Sequence, residues 1–106
     1  MILERLAKMV HETAKEKGFW DGDYNYDKIG NKLALVHSEV TEVLEAIRKN
    51  KGQKAVVEEM ADVLIRLLDI YQAMTEAGDI RVSFEKVLRE KMDTNKKREK
   101  LHGNNF

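Results

Sequence analysis

The stretch "HSEVTEVLEAIRKNKGQKAVVEEMADVLIRLLDI", residues 37–70, decides the fold. Apolar residues recur at helical spacing on both sides of "KNKGQK". That connection is short, so the two helices should be antiparallel neighbours. The segment "VLIRLLDIY" is apolar almost all round, which calls for burial on most sides. Each helix nevertheless carries a carboxylate pair at a three-residue step: Glu39 with Glu42, and Glu59 with Asp62.

Outward from this hairpin, a first helix is expected from about residue 2 to residue 17. Ile2, Leu6, Met9, Val10 and Thr13 keep helical spacing there, and Gly18 is a stop signal. "FWDGDYNYDKIGN" is a loop rich in aromatics, Asp, Asn and Gly. Asp27 or Asn31 would cap the second helix, which runs to about Lys49 with Leu33, Val36, Val40, Val43 and Ile47 as its stripe. The third helix is expected from about 55 to 77, ending at Gly78. A fourth, capped by Asp79, runs from about 80 to 97 with Phe84, Val87, Leu88 and Met92 inside, and "LHGNNF" is a loop. The expected architecture is all-α, a four-helix bundle-like module forming a single domain over residues 1–106. Such a small domain cannot surround the apolar third helix, so completion by a homo-oligomer is expected.

The bulk composition narrows the function. Charged residues make up 36% of the chain and hydrophobic ones 42%, a globular balance. The formal net charge of zero gives no reason to expect binding to a DNA or RNA polymer or to a membrane. The absence of cysteine excludes disulfides and thiolate metal sites. "MILERLAKMVHE" interrupts its apolar residues with charges, unlike a signal peptide. A cytoplasmic protein is the expectation.

At about 100° per residue, with Val40 at the centre of the second helix's stripe, Glu39 lies near −100° and Glu42 near −160°. On the third helix, centred on Leu64, the residues Glu59, Asp62, Arg66 and Asp69 gather on the far side within about 80°. One such pair is ordinary for a solvated face. Two pairs on adjacent antiparallel helices would repel and raise each other's pKa, and a divalent cation would relieve that. All-oxygen ligation suits Mg²⁺, with Mn²⁺ as a substitute. Neither pair continues as Glu-x-x-His, which argues against a di-iron bundle. The three-residue step to Asp62 selects Glu59 over its neighbour Glu58.

On the fourth helix, Lys91, Asn95 and Arg98 share one face that continues the line of Phe84, Val87 and Leu88. A basic helix end is favoured by the macrodipole alone. Beside an acidic metal site it also suits phosphate. Trp20 or Phe19 would stack on a base or else staple the loop onto the bundle.

With these residues in place, "SEVTEVLEAIR" followed by "VVEEMADVLIRLLDI" resembles the MazG-like, all-α nucleoside triphosphate pyrophosphohydrolases. Glu39, Glu42, Glu59 and Asp62 fill that superfamily's Glu-x-x-Glu and Glu-x-x-Asp positions. "KGFWD" and "KMDTNKKREKLHG" are similar to its small single-domain branch. The resemblance implies Mg²⁺ at the four carboxylates and hydrolysis of a nucleoside triphosphate between the α and β phosphates. It also implies a homodimer or homotetramer, and places Lys91, Asn95 and Arg98 near the phosphates. One of the four carboxylates would accept the proton of the attacking water, and Glu42 is the expected one. The rival expectation is a non-catalytic helical module for nucleotide binding or assembly.

Overall fold

The computed structural model describes residues 1–98; the expected loop "LHGNNF" and the end of "KMDTNKKREKLHG" lie outside them. Four helices follow one another: α1 (Ile2–Glu16), α2 (Tyr26–Arg48), α3 (Gln53–Glu76) and α4 (Phe84–Lys97). No strand occurs among the described residues, so the fold is all-α. No helix there is long and apolar enough to cross a membrane.

Local chemistry sets the helix ends. α1 and α3 both stop at a glycine in the left-handed region, Gly18 (φ +81°) and Gly78 (φ +85°). In each case the next residue's N–H returns to a carbonyl of the last turn: Phe19 to Ala14, and Asp79 to Met74. Asn50 plays the same part after α2, at φ +53°. The expected N-caps are corrected. Asn25, not Asp27 or Asn31, caps α2, accepting the Lys28 N–H at 2.8 Å. Asp27 instead stands in the first turn, where a carboxylate suits the positive end of the dipole. Ser83, not Asp79, caps α4, so that helix begins four residues later than expected. The reason is tertiary: the Tyr71 hydroxyl donates to the Val82 carbonyl and accepts the Phe84 N–H, which holds the preceding segment out of the helix.

α3 is the central element, with α2 packed along one side and α1 along another, while α4 leans mainly on α1. On α2 the protected positions include Ile29, Lys32, Val36, Glu39, Val43 and Ala46; on α3 they include Val56, Glu59, Val63, Arg66, Ile70 and Ala73. Both sets step by three and four residues, as in a two-helix seam. Glu39 meets Arg66 across it, and Ala46 lies beside Val56. The rising number on one helix against the falling number on the other makes the pair antiparallel, as expected.

The apolar stripe is corrected. Val40 and Leu64, its expected centres, are 53% and 45% exposed. Leu44 and Ile47 on α2, and Val57 and Met60 on α3, are open as well. The hairpin therefore has two apolar faces. The one that carries the acids is the internal seam, and the richer one faces outward.

α1 and α4 cap one another. Glu4 of α1 accepts the Ser83 hydroxyl and the Glu85 N–H through Oε2, at 2.8 and 3.0 Å. Glu85 of α4 in turn accepts the Leu3 N–H at 3.1 Å. The two helix starts, each rich in unpaired N–H groups, are stabilised by a carboxylate from the other.

Candidate functional site

The seam geometry explains why acids come together in a packed hairpin. Glu39 takes the seam position between Val36 and Val43, and Glu59 the one between Val56 and Val63. Asp62 follows Glu59 by one turn of α3. The structure brings carboxylate oxygens of Glu39, Glu59 and Asp62 within 4.8 Å of one another. Burial first, then the charges of Asp62, Glu42 and Glu39, hold the Glu59 carboxyl above its ordinary range. The trio therefore carries more negative charge than its surroundings compensate. Three carboxylates with no sulfur or imidazole among them fit a hard divalent cation.

Glu42 is exposed and stands outside this trio, although its charge reaches Glu59. Glu58 is also exposed and lies 3.9 Å from Lys54 on the outer face. Helix azimuth thus separates Glu58 from Glu59 in space, as the three-residue step suggests.

Arg66, one turn beyond Asp62, donates from Nε to Glu39 Oε1 at 2.8 Å. Sequence reasoning placed Arg66 on the acidic strip but found no partner for it. The available signal was its seam position: in an antiparallel register, residue 66 faces the Val36–Glu39 turn of α2.

Asp69 leaves the acidic group altogether. It accepts the Trp20 Nε1–H with both oxygens, at 2.9 and 3.0 Å. The His11 Nδ1 lies 2.6 Å from the same carboxylate, and because a carboxylate only accepts, that nitrogen carries the proton. His11 is buried and meets the Trp20 ring edge-on at 5.4 Å. The Lys32 ammonium sits 4.7 Å from the Trp20 ring centroid and donates to the Phe19 carbonyl. Burial lowers the Lys32 pKa, with Asp69 opposing that and Arg66 adding to it. Trp20 thus staples the 18–25 loop onto α1 and α3.

Phe19 is 57% exposed and lines a cleft of about 490 Å³ between α1, α2 and α3. One wall is apolar, with Met9, Val10 and Ile65; the other carries Glu39, Asp62, Arg66 and Asp69. Of the two aromatics considered for stacking, Phe19 and not Trp20 opens onto this space.

Lys91, Asn95 and Arg98 are exposed, and none of them lines the acidic cleft. Lys91 borders a separate apolar groove with Tyr71, Val82, Phe84 and Val87. Of the three only Lys91 borders a groove, and not the one holding the acids; Arg98 follows the last residue of α4 with extended backbone, so the expected shared helical face does not reach it.

Against known families, the model of the MazG nucleotide pyrophosphohydrolase domain matches residues 29–102. That span contains α3, all of α2 but its first three residues, and all four carboxylates of the two acidic motifs. No curated protein and no solved structure matches the chain.

Proposed function

The chain belongs to the MazG nucleotide pyrophosphohydrolase family, and from that premise we propose that it is a Mg²⁺-dependent nucleoside triphosphate pyrophosphohydrolase. It would convert a ribo- or deoxynucleoside triphosphate to the monophosphate and pyrophosphate, in the cytoplasm, as nucleotide-pool house-cleaning. The observation that carries this reading is the convergence of Glu39, Glu59 and Asp62, of which Glu39 and Asp62 line a cleft that also has an apolar wall and a guanidinium. A nucleoside fits the wall formed by Phe19, Met9 and Ile65, and the triphosphate fits the polar side.

Glu39, Glu59 and Asp62, with Glu42 at the rim, would hold the Mg²⁺, and Mn²⁺ would substitute. When bound, the cation neutralises charge on the phosphate oxygens and polarises the phosphorus for in-line attack. Glu42, exposed beside the trio, accepts the proton of the attacking water. Lys91, Asn95 and Arg98 hold the leaving pyrophosphate. Since they do not line this cleft in their own protomer, that contact is made from a neighbouring copy. A homodimer or homotetramer gives the open face around Val40 and Leu64 its cover, because patches of this kind on small proteins mark contact surfaces. Leu64→Asp is then expected to shift the sedimentation of the protein to the monomer.

The test of the activity is a panel of NTPs and dNTPs with Mg²⁺, assayed for monophosphate and pyrophosphate. Turnover of at least one is expected. No turnover of any, with the oligomer intact, rejects the enzyme. The same open apolar face favours a second reading, a non-catalytic assembly or nucleotide-binding module. A Mg²⁺ titration separates them: an assembly module shows no metal-dependent thermal shift, and a sensor binds nucleotide without releasing pyrophosphate.

A further inference from the structure

We propose that Arg66 is a built-in counter-ion of the metal-free cluster, which holds Glu39 until a divalent cation takes that carboxylate and then turns to the anionic end of the ligand in the same cleft. The proposal rests on the divalent-metal reading above and adds a residue that neither acidic motif contains.

Its geometric basis is the Nε–Oε1 bond of 2.8 Å between Arg66 and one member of the carboxylate trio. A cation drawing on Glu39 competes with that bond directly. The pair is only half-buried, with 38% of the Arg66 side chain and 18% of the Glu39 side chain exposed. Ion pairs that solvent reaches are worth little, so a doubly charged ion displaces this one readily. Among the described residues the bond engages Nε alone, which leaves the N–H groups of the terminal nitrogens for a second acceptor. Arg66 and Asp62 line the same cleft one helical turn apart, so the released side chain stays at its polar wall.

The released charge has a supporting neighbour. Lys32 lies close enough for the Arg66 charge to disfavour its protonated form, and its ammonium donates to the carbonyl of Phe19, a residue of the cleft. In the metal-free protein Glu39 holds the Arg66 charge. Once a cation occupies the cluster, the Arg66 guanidinium is available to phosphate oxygens, for which its planar shape is well suited. Metal and polyphosphate then favour each other through Arg66, and by linkage the coupling runs equally in both directions.

The experiment measures Mn²⁺ binding alone by titration calorimetry for the full chain, Arg66→Gln, Glu39→Gln and the double variant. Removing the competitor is expected to tighten Mn²⁺ binding about two- to fivefold in Arg66→Gln, the range in which solvent-reached ion pairs fall. With Mn²⁺ saturating, inorganic tripolyphosphate is expected to bind about tenfold more weakly to the same variant. In the Glu39→Gln background, adding Arg66→Gln is expected to leave Mn²⁺ affinity unchanged. Arg66→Lys keeps the charge without the planar fork and is expected to fall between wild type and Arg66→Gln; it carries the comparison if the Gln variant does not fold. Wild-type Mn²⁺ binding that neither Arg66 variant tightens overturns this proposal alone. Absence of Mn²⁺ binding by the wild type overturns the metal reading and this proposal together.

Discussion

Glu59 and Asp69 stand on the same strip of α3, less than three turns apart, with the same charge and a similar degree of cover. Their surroundings differ completely. Asp69 is met by two N–H donors, His11 from α1 and Trp20 from the following loop. Glu59 is met by three other carboxylates. The first end of the strip is finished by the fold; at the second, Arg66 pairs Glu39 alone, and the remaining negative charge suits a cation from outside. An acidic strip is therefore not a site as such. It becomes one where the opposing elements decline to pair it.

The largest expected effect that bears on this contrast is Glu59→Gln. It should lower pyrophosphate release by about a thousandfold, the scale expected when an electrostatic contact to the transition state is lost. Circular dichroism should show the helices intact. Activity equal to wild type would place Glu59 with Asp69 among structural acids.

Asp69→Ala should act the other way. It leaves the buried His11 and the Trp20 indole N–H without their shared acceptor, at a cost of about 2 kcal/mol in urea unfolding. A variant as stable as wild type would mean that the staple is idle and the contrast fails.

The smallest effect is in pH dependence, where two carboxylates should move in opposite senses. Glu59 has a raised folded-state pKa, so the metal-free protein loses stability as pH rises through that value. Glu59→Gln should therefore be stabilising at neutral pH, with the gain vanishing below the ordinary carboxylate range, and saturating Mg²⁺ should reverse its sign. Glu4 has a lowered pKa: the Glu85 N–H lowers it most, burial opposes that, and the Ser83 hydroxyl lowers it further. Its contribution is present above the ordinary carboxylate range and disappears as pH falls through the folded value. Glu4→Gln should thus destabilise at neutral pH and cost nothing in acid. Denaturant midpoints taken across pH for the two variants check both signs.

Much of this was legible in the chain. Gly18 and Gly78 mark the ends of α1 and α3, and "KNKGQK" marks the antiparallel turn between α2 and α3. The three-residue steps single out the acids, and Glu59 rather than Glu58. The caps were not legible, because Asp27, Asn31 and Asp79 are as suitable by residue type as Asn25 and Ser83. For α4 the choice fell to Tyr71, thirteen residues from the Phe84 N–H that it accepts. The mutual capping of Glu4 and Glu85 is likewise invisible locally, since the partners are about eighty residues apart.

Composition and periodicity by themselves determined an all-α chain, the approximate span of each helix, and the angular position of every side chain on its own helix. They did not determine how each helix is rotated against its neighbour. A helix with two apolar faces has two rotations that bury similar area, and helical period is blind to the difference. Tertiary packing turned the Glu39 and Glu59 faces inward and the Val40 and Leu64 faces outward. That one choice of rotation gathered the carboxylates, set Arg66 against Glu39, and left Glu42 at the rim.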